Sequence, residues 1–217
     1  MNLLVIGDSF CHGIGLESVF RNPANTEQAF GRYIADAMNM TYHNLAEPGS
    51  GIERAIDVGY RFVSANPDTF VIAGWSHPHR IGLYGSQSSL QVLPSFVVLG
   101  DTSSTDVWTD SDQGVKFVAD QQNQHCLTML KQFHRTVIDN DFFAGQAAQA
   151  RARTDMFKTW LRSQNTKFLD FNVFNGYSNL THPQVSMTFE QIMTTAHRHP
   201  SAAEHKQFAK LWIEQHV

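Results

Sequence analysis

Cysteine is scarce in this 217-residue chain, and long apolar runs are missing from it. Only Cys11 and Cys126 occur, which excludes a disulfide-bonded scaffold and predicts two free, buried thiols. No stretch approaches the roughly 20 apolar residues that cross a bilayer, so a membrane span is not expected. The start of the sequence also lacks the charged and apolar regions of an export signal. These absences predict a soluble, cytoplasmic protein.

An excess of positive charge is lacking as well. The net charge of -4 provides no general attraction to phosphate backbones, so nucleic acid is not an expected partner. Neither a G-x-S-x-G elbow nor a G-K-[ST] sequence occurs, which disfavours an α/β-hydrolase proper and a P-loop enzyme. The length predicts one domain that spans residues 1–217.

The pattern of apolar residues indicates an α/β fold. Four short apolar runs that end in turn-forming residues predict strands at 3–6, 41–45, 70–73 and 167–171. Between them, helical spacing predicts helices at 25–38 and 52–65, whose buried stripes are Phe30, Tyr33, Ile34 and Ala37, and Ile52, Ile56, Gly59 and Val63. Because strands and helices alternate, the sheet is expected to be parallel and covered on both faces.

The second half of the chain is less regular. Residues 81–120 are rich in Gly, Ser, Thr and Asp, which predicts an excursion from the core. Two helices are predicted after it, at 120–138 and 142–163. The last helix has the clearest start, because Ser201 and Glu204 have the spacing of a capping box and Phe208, Leu211 and Trp212 supply a buried face.

Ser9 follows the first predicted strand directly, within the sequence Gly7-Asp8-Ser9-Phe10. Parallel α/β sheets bind ligands outside the carboxyl ends of their strands, so this serine occupies a functional location. An Asp-Ser pair is also typical of a turn or a helix cap, and we expect Asp8 to brace that turn.

His199 and Pro200 precede the capped C-terminal helix. A serine hydroxyl needs a neighbouring base, and imidazole has a suitable pKa near neutrality. Pro200 stiffens the loop, so His199 can be held rigidly as the general base for Ser9. The alternative is a histidine in a surface loop.

Three segments resemble the SGNH (GDSL-like) hydrolase family, in the order that the family uses: GDSF at 7–10, NLAEPGSG at 44–51 and HPSAAEH at 199–205. The resemblance implies a flavodoxin-like three-layer α/β/α sandwich with a central parallel sheet, which cleaves acyl esters through an acyl-serine intermediate. It implies that the backbone N–H groups of Ser9 and Gly49 hold the oxyanion, together with a side chain from a further family segment that lies between the second and the last of these. A glycine suits position 49 because the backbone there can approach substrate closely, although it is also a normal turn residue after Pro48.

The sequence departs from the family in this further segment. The usual pattern is G-x-N-D, and this chain has Gly74-Trp75-Ser76-His77. Ser76 can donate one hydrogen bond in place of the missing asparagine, with a shorter reach. Arg80 completes a G-W-S-x-x-x-R pattern that is similar to divergent SGNH-like proteins of bacteriophages. It is predicted as a supporting residue, with a solvated loop charge as the alternative.

A second departure concerns the acid of the triad. The family places an aspartate three residues before the histidine, and Ala196 occupies that position here. Such an acid orients the imidazole and stabilises the imidazolium. The minimal prediction is therefore a Ser9–His199 dyad, and Asp8 is not expected to replace the acid.

The predicted function is hydrolysis of a small-molecule ester, either a small acyl ester or an O-acylated sugar, with no cofactor. Residues 81–145 are predicted to form an insertion or lid that sets substrate identity. Within it, Trp108, Phe142 and Phe143 line a pocket or, as we favour, pack the lid. The alternative function is a catalytically weak or inactive SGNH-fold module that binds an acyl or carbohydrate ligand.

A metal site is a further alternative. His77 with His79 and His197 with His199 form two i, i+2 pairs that together supply four ligands. Neither pair has the helical or C-x-x-C spacing of a known metal framework, so no metal is predicted.

Overall fold

The protein was analysed as a computed structural model, which describes residues 1–13, 24–48, 50–76, 80–82, 89–93, 96–99, 105–110, 115–120, 140–173 and 200–216. The statements below concern these residues. In the described segments, no helix is both long enough and apolar enough to cross a membrane.

A four-stranded parallel sheet forms the centre of the fold, as predicted. Its strands, in the spatial order β2-β1-β3-β9, are β1 Asn2–Gly7, β2 Thr41–Asn44, β3 Thr69–Trp75 and β9 Lys167–Asn172. All four were predicted within two residues at each end, because each is an aliphatic or aromatic run bounded by turn residues. The order matches the first strands of the flavodoxin-like arrangement, whose direction of winding changes between β1 and β3.

The described residues contain six helices. They are α1 Ser9–His12, α2 Ala24–Gln28, α3 Phe30–Ala37, α4 Ile52–Ala65, α5 Asn140–Ser163 and α6 Ala202–His216. The predicted helices over 52–65 and 142–163 are confirmed, and so is the helix that follows Ser201.

The core has two halves, one on each face of the central sheet. On the first face, α3 and α6 pack against the odd-numbered positions of β1, through Phe30, Ile34, Phe208 and Trp212. On the second face, α4 and α5 pack against the even-numbered positions, through Ile52, Val63, Phe157 and Leu161. Successive side chains of a strand point to opposite faces, so this is the predicted three-layer α/β/α arrangement.

The prediction of one continuous helix over 25–38 is wrong. Ala29 has extended backbone (φ −73°, ψ 155°) and separates α2 from α3. The N–H of Phe30 donates to Nδ1 of His205 at 3.2 Å, across 175 positions of sequence. Local periodicity carries no information about so distant a partner, and it also misassigned Ala37, which is exposed, while Ala35 is buried.

Residues 81–120 are more regular than expected, because they contain most of a second sheet. Its strands are β4 Arg80–Gly82, β5 Ser89–Leu93, β6 Phe96–Leu99, β7 Thr105–Asp110 and β8 Val115–Asp120, in the order β4-β5-β6-β8-β7. Only β6 and β8 pair in parallel. Each strand has only three to six residues, so its run of apolar residues was too short to be distinguished from the polar residues around it.

Two predicted boundaries need correction. Asp120 ends β8 and does not begin a helix, and the rest of the helix predicted over 120–138 lies outside the described residues. The predicted insertion limit at residue 145 falls inside α5, whose Ala147 and Ala150 are buried. The existence of one domain and of a lid remain predictions.

Candidate active site

The carboxyl ends of β1 and β3 bring two of the predicted site residues to one edge of the sheet. Gly7 and Gly74 are register partners in the parallel pair of β1 and β3. Ser9 and Ser76 each follow two residues later, and both are buried, at 8% and 5% exposure. This edge is the point where the winding of the sheet changes direction, which is the usual ligand position in open α/β folds.

Asp8 shapes the turn that carries Ser9, as expected. It is the N-cap of α1, and its Oδ1 accepts the N–H of Phe10 at 3.1 Å. The helix ends after one turn, where Gly13 adopts the left-handed conformation (φ 87°) and its N–H donates to the Ser9 carbonyl at 3.1 Å. Ser9 is therefore the first residue of a helix, where backbone N–H groups have no acceptor within the helix.

Cys11 packs the turn against the sheet. At Gly7 (φ 146°), a Cβ would lie 2.5 Å from the Gly74 carbonyl oxygen and 2.7 Å from Sγ of Cys11. Cys11 is free and buried, as predicted, whereas Cys126 lies outside the described residues. Burial, together with the nearby Asp8 carboxylate, raises the pKa of the Cys11 thiol well above its ordinary value. A thiol that stays protonated is a poor nucleophile, so Cys11 is better suited to packing than to chemistry.

The segment after β2 is tied to the same strand end. The Gly7 carbonyl accepts the Ser50 hydroxyl at 2.8 Å and the Glu47 N–H at 3.0 Å. Nδ2 of Asn44 donates to the Cys11 carbonyl at 2.9 Å. The second family-like segment is thereby fixed beside α1. Gly49 lies outside the described residues, so its role as an oxyanion donor remains a prediction.

The hydroxyl of Ser76 is buried just beyond the end of β3. Within the described part of the chain, its buried Oγ has no hydrogen-bond partner. Buried polar atoms are nearly always satisfied, so an exception at a ligand-binding edge calls for an explanation, such as a group that is satisfied only when substrate binds.

A buried polar cluster beside Ser76 was not predicted from the sequence. Nε1 of Trp75 donates to Oδ2 of Asp170 at 2.8 Å, and Nζ of Lys158 lies 3.2 Å from the same oxygen. The signal was the acid Asp170 between the apolar residues Leu169 and Phe171 of β9, since acids are rarely buried unless they are paired. Trp75 belongs to the half of the core formed by α4 and α5, so Asp170 lies on the face of the sheet opposite α6.

His199 lies outside the described residues, whereas the residues that follow it, from Pro200, are described. Pro200 is buried, and the capping box is confirmed: Oε2 of Glu204 accepts the Ser201 N–H at 2.6 Å and the Ser201 hydroxyl at 2.7 Å. Farther along α6, His205 is buried and stacks on the ring of Phe30. The segment after His199 is therefore anchored to α3, on the first face of the sheet.

The remaining predicted groups are only partly described. Arg80 is the first residue of β4, and its supporting role remains a prediction. The four histidines of the alternative metal site, at positions 77, 79, 197 and 199, lie outside the described residues. Among the residues that are described, no three or more His, Cys, Asp or Glu side chains are grouped to hold a metal ion.

Comparisons with known proteins agree on the fold. No protein-family model and no curated protein matches the chain. Among solved structures, TesA overlaps with 99% of this chain and 97% of its own, at 11% identity and a TM-score of 0.53. Weaker overlaps include an acetyl xylan esterase from the rumen bacterium Butyrivibrio proteoclasticus (14% identity, 99% of this chain and 63% of that chain, TM-score 0.46). Another is a member of the lipolytic protein G-D-S-L family from Veillonella parvula (11% identity, 100% of both chains, TM-score 0.40). At such low identity these likenesses concern the fold alone. The chain therefore shares its three-layer α/β/α fold with TesA.

Proposed function

We propose that the chain hydrolyses a carboxylic ester, with Ser9 as the nucleophile and His199 as its general base. The observation that carries this proposal is the placement of Ser9 and Ser76, each two residues beyond a register partner at the ends of neighbouring strands, where the buried Ser76 hydroxyl has no protein partner in the described residues. A nucleophile and a preorganised donor on one edge are the elements that acyl transfer needs.

The reaction proceeds in two steps. His199 removes the proton of the Ser9 hydroxyl as its Oγ attacks the ester carbonyl, and then returns the proton to the leaving alcohol. Water, deprotonated by the same imidazole, hydrolyses the acyl-serine and regenerates the enzyme. The N–H groups of Ser9 and Gly49 and the hydroxyl of Ser76 stabilise the oxyanion in both tetrahedral intermediates.

The substrate is a small acyl ester or an O-acylated sugar. Hydrolysis by this route uses side-chain and backbone groups alone, so no cofactor is required. The second sheet supports a role for residues 81–145 in substrate selection, because its edge strand β4 begins four residues after Ser76 and pairs with β5.

Labelling with a fluorophosphonate tests nucleophile activation without a guess at the substrate. We expect the native chain to be modified at Ser9 and to hydrolyse short-chain nitrophenyl esters. Ser9→Ala should abolish labelling and lower kcat by at least about a thousandfold. Ser163→Ala, which removes an exposed hydroxyl at the end of α5, is the matched control and should leave both unchanged. Labelling at another residue would contradict the assignment of the nucleophile.

A binding module is the second candidate function, and two residues favour it. Ala196 stands in place of the family's acid, and Ser76 stands in place of its asparagine donor. If the native chain is neither labelled nor active on nitrophenyl esters of several acyl lengths, the module that binds an acyl or carbohydrate ligand becomes the better account.

A further inference from the structure

The cluster of Trp75, Asp170 and Lys158 has no part in the reaction proposed above. All three side chains are largely buried: Trp75 is 1% exposed, and the side chains of Lys158 and Asp170 are 13% and 11% exposed. Removing a charge pair from water is costly, and apolar residues of the same volume are often as stable or more stable. Stability alone is thus a weak explanation for an ion pair in this core.

The cluster holds Trp75 on several sides. Its indole N–H is bonded to Asp170, its ring meets Phe157 edge to face with centroids 6.2 Å apart, and its carbonyl accepts the Val173 N–H at 3.0 Å. Because Lys158 shares the Asp170 oxygen, α5 is bonded to the same group. Both the side chain of Trp75 and the peptide that leads into Ser76 are therefore fixed at the end of β3.

Ser76 needs such rigidity more than an asparagine would. A hydroxyl is shorter than a carboxamide, so its oxygen must be placed by the backbone more than by its own reach. Stabilisation of an oxyanion depends on donors placed to within about 0.5 Å of the productive geometry. We propose that Trp75, Asp170 and Lys158 are positioning residues that hold the Ser76 hydroxyl towards the oxyanion. This inference rests on the proposed ester hydrolysis.

A double-mutant cycle with Ser76 tests the inference. Trp75→Phe keeps an aromatic ring, although a smaller one, and removes the indole N–H. Asp170→Asn/Lys158→Met removes both charges together. In the native background, each variant should lower kcat for a nitrophenyl ester roughly tenfold while KM changes less than about twofold. In a Ser76→Ala background, where the donor is already lost, the same changes should lower kcat less than about twofold.

The control is Lys210→Met, which removes an exposed charge and its pair with Glu214 and should leave kcat unchanged in both backgrounds. Equal losses of kcat with and without Ser76 would overturn the inference, since they indicate general loosening of the core. Unchanged kcat in the native background would overturn it too. If Trp75→Phe does not fold, as judged by circular dichroism, the charge-neutral double variant carries the test.

Failure of the proposed function gives a different result. In that case the native chain is neither labelled at Ser9 nor active, and the positioning role is rejected along with hydrolysis. If Ser9 is labelled and the cycle is additive, only the positioning role is rejected.

Discussion

At the end of β1, two glycines and a cysteine allow the turn that carries Ser9 to touch the neighbouring strand. Sγ of Cys11 occupies the space where a Cβ on Gly74 would lie, and the Phe171 ring is 3.1 Å from that space. The turn that carries Ser9 therefore depends on the absence of a methyl group at position 74, and close backbone approach is a common reason for glycine at such a position.

Substitution of Gly74 should disturb both stability and reactivity. We expect Gly74→Ala to push Cys11 and α1 away from β3, to lower the free energy of unfolding by about 1–3 kcal/mol, and to slow fluorophosphonate labelling of Ser9. Denaturant unfolding and the labelling rate measure the two effects.

Two further variants make this test specific. Cys11→Ala added to Gly74→Ala removes the sulfur from the contested space and should restore much of the labelling rate. Gly145→Ala places a methyl group in open space within α5 and should be neutral or stabilising by up to about 1 kcal/mol. Gly74→Ala and Gly145→Ala behaving alike would show that the contact with Cys11 has no consequence.

Among single elements, the start of α6 connects local sequence to the site most directly. Its capping box satisfies backbone groups at the helix start through Ser201 and Glu204. The N-cap is two residues after His199, so fraying of this helix should loosen the proposed base as well.

Variants of Glu204 test this link. We expect Glu204→Ala to lower the free energy of unfolding by about 0.5–2 kcal/mol and to reduce kcat/KM for the ester. Glu204→Gln retains the acceptor that a capping box uses and should stay close to the native values. Glu214→Ala removes an exposed carboxylate from the same helix and should change stability by less than about 0.5 kcal/mol. Equal kcat/KM for all three variants would show that the helix cap does not affect the proposed site.

The elements that local sequence predicted well are those whose signals are local. The central strands and α4 follow from aliphatic runs and helical spacing, and the capping box identified α6. The break at Ala29 and the pairing of β6 with β8 depend on partners distant in sequence, so no window of residues contains them. Ser9 and Ser76 were predicted as site residues because each follows a local strand signal. The link from Trp75 through Asp170 to Lys158 depends instead on the pairing of β3 with β9 and on the packing of α5 against β9.

At the scale of the whole molecule, the fold brings together residues from the two ends of the chain. The hydrogen bond from Phe30 to His205 joins α3 to the C-terminal helix, and both pack on the same face as Leu3 and Val5 of β1. Loss of stability in this half of the core should therefore also disturb the position of Ser9 relative to the segment after His199. A condition that weakens the half-core should affect both.

Alkaline pH is such a condition, because two acids of this half-core are buried in their neutral forms. Burial raises the pKa of the Cys11 thiol above its ordinary value of 9.0, and it raises the pKa of Tyr42 above 10.0. Above these ordinary values the unfolded chain loses protons that the native chain keeps. Stability is therefore complete below about pH 9 and falls as the pH rises, by up to about 1.4 kcal/mol per pH unit for each group.

Denaturant unfolding at pH 7.5, 8.5, 9.5 and 10.5 measures this loss. We expect Cys11→Ala to flatten the decline between pH 9 and 10, and Tyr42→Phe to flatten it above pH 10, whatever each substitution costs at neutral pH. Tyr42→Phe also removes the hydrogen bond to the Thr26 carbonyl at 3.0 Å, so its stability at pH 7.5 serves as its own reference. An unchanged slope in Cys11→Ala would mean that the thiol titrates alike in the folded and unfolded chain, and that the turn beneath Ser9 is open to water.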